Sequence, residues 1–176
     1  MTRRAAEGGG EPGAGAPSVL VVGIGSPFRG DDAAGLLAVR AYAPCARPGV
    51  EVLESPGDAV RLMELWKGRS SVIAVDAMRS GAPAGRIMRF EIPGPPLPLA
   101  AFAAGSTHAF GLGEAIQLGL QFGTLPPRLV LLGIEAEHWS FGAPLSPAVA
   151  AGIPILKEIL VREVSLLEEE PAAQGA

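Results

Sequence analysis

The stretch Ser18–Asp32 reads SVLVVGIGSPFRGDD, and three changes of character inside it decide the fold. Ser18–Gly25 (SVLVVGIG) is a continuous apolar run, which suits a strand buried on both faces rather than one with a wet side. Glycine and Ser26-Pro27 then stop the strand. From Asp31 the periodicity becomes helical, with Ala33, Leu36, Leu37 and Ala41 as the apolar positions and Pro44 closing the segment.

Working outward, the same alternation repeats. A short strand is expected at Val50–Glu54, and a helix over Gly57–Trp66 with Val60, Met63 and Leu65 as its apolar positions. Ser71–Asp76 (SVIAVD) is a second fully apolar strand, ending at an acid. Arg86–Ile92 alternates apolar and polar residues, as a strand with one wet face does. Pro93–Pro98 holds four prolines in six residues and is expected to be irregular. A helix over His108–Phe122 presents Leu112, Ala115, Ile116 and Gly119 inward, and Arg128–Ile134 is a third buried strand. After the loop Glu135–Leu145, Ser146 is placed to cap a helix with Pro147 at its first position. Val149, Ile153, Leu156, Leu160, Val164 and Leu167 mark one face of that helix, and Pro154 predicts a kink or a late start.

Strands alternating with helices predict a single α/β domain with a mostly parallel sheet covered on both faces. Its expected span is 18–167. Residues 1–17, rich in Gly, Ala, Pro and Glu and lacking an apolar signal-peptide core, are expected to form a flexible tail. The acidic stretch 168–176 is expected to fray.

Composition narrows the function. Of 176 residues nearly half are apolar, yet Phe, Trp and Tyr number only six, two and one, so the core is aliphatic. A formal charge of −4 offers no basic footprint for nucleic acid and no cationic face for an anionic membrane. No apolar run reaches membrane-spanning length, and a cytoplasmic protein is expected. The single cysteine, Cys45, excludes an internal disulfide and reads as an incidental thiol.

Ligands of open α/β sheets collect beyond the carboxyl ends of the strands. Three groups are expected on that edge: the turn from Gly23 to Asp32, then Asp76, then His108. Two carboxylates and an imidazole form a mixed oxygen and nitrogen set suited to a first-row divalent metal. A helix N-terminus near His108 disfavours its protonated form, as a metal ligand requires. Each residue also has a plainer reading. Asp31 or Asp32 can cap the first helix, Asp76 can be a strand-end acid bonding nearby amides, and His108 can be a satisfied structural histidine. Topology alone therefore yields a candidate metal site.

The glycine turn does not match a dinucleotide fingerprint, because Phe28 occupies the third glycine position. Glu54 does imitate the ribose-binding acid, which keeps a nucleotide-binding oxidoreductase as a rival reading. No GK[ST] or G-x-S-x-G motif occurs.

The blocks GIGSPFRGDDAAG, SVIAVDAMRSG, STHAFGLGEAI and GIEAEHWSFGAPLSPAVAAGI, in that order, resemble the nickel–iron hydrogenase maturation endopeptidases from Ser18 to Leu167. The resemblance implies an α/β protein with about five strands that acts as a monomer. It implies an endopeptidase that removes a C-terminal extension from the nickel-loaded large-subunit precursor, the precursor's nickel being the recognition signal. It makes Asp32, Asp76 and His108 the metal-binding and catalytic set. Asp31 is expected to cap its helix, with a role in orienting a ligand as the lesser option, and His138 to sit at the cleft rim or in solvent. Ser26 stands where the family often has Asn, and Ala33 where it often has Gly. Ala136–Glu137 stands where many members carry a proline-containing turn. A non-catalytic nickel chaperone is the other rival.

Overall fold

The computed structural model describes residues 19–103 and 111–169. The expected N-terminal tail and the segment carrying His108 fall outside these residues; of the expected C-terminal tail, 168–169 are helical and the rest falls outside. Five strands form one sheet: β1 (Val19–Ile24), β2 (Val50–Ser55), β3 (Ser71–Met78), β4 (Ile87–Ile92) and β5 (Arg128–Glu135). Their spatial order is β2-β1-β3-β5-β4. The first four in that order run parallel, and β4 is an antiparallel edge strand on β5. Every residue of β1 and β3 is buried, as their unbroken apolar runs require. β4, the edge strand, is instead mostly half-buried, with Arg89 exposed and Ile92 buried.

Helices cover both faces. α1 (Ala34–Tyr42) and α5 (Pro147–Glu169) pack on one side, where Val19, Val21, Ile73, Val75, Val130 and Leu132 meet Val39, Tyr42 and Leu160. α2 (Ala59–Trp66), α3 (Leu99–Ala103) and α4 (Leu112–Phe122) cover the other, on Leu20, Val22, Val72, Leu129 and Leu131. This is the architecture expected from the alternation of elements.

Several local expectations change phase. The inward stripe of α2 is Ala59, Leu62 and Trp66, whereas Val60 is 64% exposed and Met63 and Leu65 are half-buried. Apolar residues surround that helix almost completely, so the bulkiest pair, Leu62 and Trp66, decides which side faces α4. In α1 the stripe is Ala34, Leu36, Ala38, Val39 and Tyr42, and Leu37 and Ala41 are half-buried. The cause is Gly35: a Cβ there would come within 2.3 Å of the Ile24 carbonyl and 2.4 Å of that of Val75. The helix lies that close to β1 and β3 only with no side chain at the contact.

α4 and α5 bury the expected positions, except that Ile153 is half-buried and Gly152 and Glu163 join the stripe. Pro147 is the first residue of α5, and the Ser146 hydroxyl accepts the Val149 N–H at 3.4 Å as a cap. The helix does not start late: it continues through Pro154. α3 was not anticipated after the proline-rich stretch. No helix among the described residues is long and apolar enough to cross a membrane.

Candidate functional site

The chain leaves β1 for α1 on one face and leaves β2 for α2 on the other, so the helices change sides between β1 and β3. A crevice opens at the carboxyl ends of two strands whose connections depart in opposite directions. Here it is a cleft of about 220 Å³. Its walls include Ser26, Phe28 and Asp32 from the turn after β1, Asp76 from β3, Phe102 from α3 and Gly111 and Leu112 at the start of α4. Asp32 and Asp76 thus share one cavity.

Each carboxylate is held by its own local logic. After β1 the backbone turns at Gly25, whose φ of +136° suits glycine, and a Cβ would lie 1.8 Å from the Asp32 carbonyl. That contact folds the turn back over Asp32, and the Ser26 N–H donates to Asp32 Oδ2 at 3.1 Å. The serine that stands for the family's frequent asparagine therefore contributes through its backbone. Asp32 is not a helix cap: it lies inside a 3-10 turn, Gly30–Ala33, whose N-cap is Arg29.

Asp76 does not end its strand. β3 continues to Met78, and Asp76 pairs with Gly133 of β5. The two-residue period of the strand puts its side chain on the α2–α4 face, alongside Ala74 and Met78. It is 6% exposed, and Asp32 is 8% exposed.

Both carboxyls titrate abnormally. Burial holds Asp32 above the ordinary carboxylate range, partly offset by the Arg29 charge and the Ser26 N–H. Burial pushes Asp76 far above it, and the negative charge of Asp32 pushes in the same direction. Two buried acids in one cavity, the charge of one opposing the ionisation of the other, form a site that a cation would relieve. The donor chemistry fits a first-row divalent ion on its two oxygen-bearing sides. Among the described residues no three His, Cys, Asp or Glu side chains gather into a metal-holding group, and His108 lies outside them.

Asp31 departs from the expectation of a helix cap. It is fully buried, and its carboxylate accepts backbone N–H groups of Glu137 at 2.8 Å, His138 at 2.9 Å and Ser146 at 2.6 Å. Its own N–H donates to the His138 carbonyl at 2.8 Å. Burial alone would raise its pKa, but the three amides together with the Ser146 side chain outweigh it and hold the carboxyl below its ordinary value. Asp31 fastens the loop between β5 and α5 to the turn that carries Asp32. The His138 side chain is exposed, and its backbone is what the structure uses.

A second anchor escaped sequence reasoning. Glu135, 2% exposed, ends β5 rather than opening a loop, and accepts Ser80 N–H, Ser80 Oγ–H and Gly81 N–H at 2.7–3.0 Å. Its signal was present: an acid directly after an apolar run, as at Asp76. Glu54, the imitation of a ribose-binding acid, is instead engaged by Arg40, with both contacts at 2.7 Å. Cys45 is an exposed free thiol in a short 3-10 turn.

Known proteins carry the same architecture. A curated relative, the hydrogenase expression/formation protein HupD of Rhizobium leguminosarum bv. viciae, is 29% identical over 152 residues, covering 84% of this chain and 74% of its own length. The solved hydrogenase maturating endopeptidase HybD of E. coli superposes with a TM-score of 0.66 at 25% identity, over 86% of this chain and 92% of its own. The solution structure of an endopeptidase from Escherichia coli gives 0.73 at 25% identity, over 87% and 94%. Residues 39–163 match the family described as HycI, hydrogenase maturation protease. That span includes Asp76 and His108 and begins after Asp32. The chain belongs to the hydrogenase maturation protease family and is a peptidase of hydrogenase maturation.

Proposed function

We propose that the chain removes a C-terminal extension from the nickel-loaded large-subunit precursor of a nickel–iron hydrogenase, gripping the precursor's nickel with Asp32, Asp76 and His108. One observation carries this reading: Asp32 and Asp76 line a single cleft at the topological switch point, where the Asp32 charge opposes the ionisation of Asp76. Connectivity supports the third member. In the sequence His108 precedes Gly111, a cleft residue, by three positions.

The nickel ion belongs to the substrate. Before it arrives, burial and the Asp32 charge strengthen the hold of Asp76 on a proton. Docking the cation favours the ionised carboxylates, so recognition and proton release are linked. The adjacent peptide bond is then held in the cleft, where proximity supplies much of the rate. Water adds to the carbonyl carbon with a carboxylate taking its proton, the C–N bond breaks, and the proton passes to the leaving amine. Nickel-free precursor lacks the charge that the acids need and is not gripped. The working unit is a monomeric domain spanning 18–167, acting in the cytoplasm where the precursor is assembled.

The test is the mass of the precursor after incubation. Nickel-loaded precursor is expected to lose a C-terminal peptide and nickel-free precursor to keep its length. Cleavage that survives Asp32→Ala, Asp76→Ala and His108→Ala alike would overturn the assignment of the site. Metal binding without any change in precursor mass would point to a chaperone instead.

A further inference from the structure

Beside the carboxylates, the cleft rim carries two large apolar rings that the proposed chemistry does not use. Phe28 is 64% exposed and Phe141 is 81% exposed, and their ring centroids lie 6.2 Å apart. Phe28 also lines the cavity that holds Asp32 and Asp76. An isolated exposed phenylalanine needs no explanation, but an exposed pair at the mouth of a catalytic cleft does.

The rings are displayed on anchored backbone. The Phe28 carbonyl accepts the Gly142 N–H at 2.7 Å, tying together the two segments that bear them. The buried Asp31 carboxylate fixes Glu137, His138 and Ser146 on either side of Phe141. The guanidinium of Arg79 lies 5.4 Å from the centre of the Trp139 ring in the same loop. Aromatic groups with few rotatable bonds, held on such a frame, bind with little further loss of entropy.

We propose that Phe28 and Phe141 form a docking surface for an apolar side chain of the client protein, on the segment flanking the scissile bond. Continuity identifies the occupant: Phe28 is at once a cavity wall and half of the ring pair, so a polypeptide that enters along Phe28 also meets Phe141. This inference rests on the proteolytic reading above for its client. Burying an exposed ring against an apolar partner is worth about a tenfold change in affinity.

The experiment measures precursor affinity by sedimentation and cleavage kinetics by mass, using the nickel-loaded precursor and the full chain. Phe28→Ser and Phe141→Ser are each expected to weaken binding and raise KM about tenfold, with the loss carried by KM rather than kcat. Phe122→Ser, equally exposed at 68% but remote on α4, is expected to change neither. Phe141 is so exposed that its variant retains the wild-type thermal midpoint and carries the test should Phe28→Ser fold poorly.

Unchanged affinity and KM in both ring variants would overturn the docking surface while leaving proteolysis intact. Ring-dependent binding with no change in precursor mass would remove proteolysis and leave the surface standing. A wild-type dimer that Phe141→Ser dissociates, with KM for precursor unchanged, would assign the rings to self-association and overturn the proposal.

Discussion

Replacing Asp31 with alanine tests the claim that one buried carboxylate holds the site together. The change removes the acceptor for three backbone N–H groups, at 2.8, 2.9 and 2.6 Å. Glu137 and His138 are exposed residues, so water can satisfy their amides, whereas Ser146 is 1% exposed and its N–H stays buried. A stranded buried amide costs about 1–3 kcal/mol, and a lost charge-assisted bond to a wetted amide about 1 kcal/mol. The expected total is about 3–5 kcal/mol, a large share of the stability of a domain this size.

Urea denaturation measures it directly, as a lower midpoint with an unchanged slope. Asp31→Asn keeps the shape and one acceptor oxygen but turns an N–H₂ toward the amides, so it is expected to lose nearly as much. The acid limb gives a second check. The folded pKa of Asp31 lies below its ordinary 3.8, so its stabilisation is full above that value and fades as pH falls through the folded pKa. The gap between wild type and Asp31→Asn should therefore close only in strong acid. A loss below about 1 kcal/mol at pH 7, or a gap indifferent to acid, would refute the tether.

Asp76→Asn is expected to abolish cleavage and yet raise the thermal midpoint of the metal-free protein by about 2–4 °C at neutral pH, for about 1 kcal/mol gained. The raised pKa of Asp76 means that its favourable state is the protonated one, present below the unfolded value and lost as pH rises through the folded one. An unchanged or lower midpoint would remove the claim that its charge is unwelcome in the empty cleft. Asp32→Asn should shift the Asp76 titration downward, read by carbon-13 NMR, because it deletes the charge that opposes ionisation; a stationary midpoint would show that the acids do not interact. Gly25→Ala should weaken precursor cleavage at least tenfold by displacing the Asp32 backbone, which its Cβ would otherwise meet at 1.8 Å; wild-type activity would mean that the turn does not set the site.

The fold class was legible because apolar runs of strand length, such as SVLVVGIG and SVIAVD, admit few alternatives once helical segments separate them. Strand order and the direction of β4 were not. The connection from β3 to β4 is too short for a parallel crossover, and the slot between those two strands is filled by β5, which follows in the chain only after two further helices. Helix rotation was equally hidden in α1 and α2, whose apolar residues leave no single stripe. There Gly35 against β1 and β3, and Leu62 with Trp66 against α4, made the choice.

By itself the sequence determined the buried strands, the glycine turn and the two acids at the sheet's carboxyl edge, since these follow from local pattern and from where open sheets bind ligands. Only the tertiary structure decided what Asp31 does. Its three amide partners come from 106, 107 and 115 residues away. An acid after a glycine turn looks like a cap in any local window, and only the folded chain brings the β5–α5 loop to it. The same loop carries Phe141 to Phe28, so the rim of the cleft, unlike its carboxylates, exists only in three dimensions.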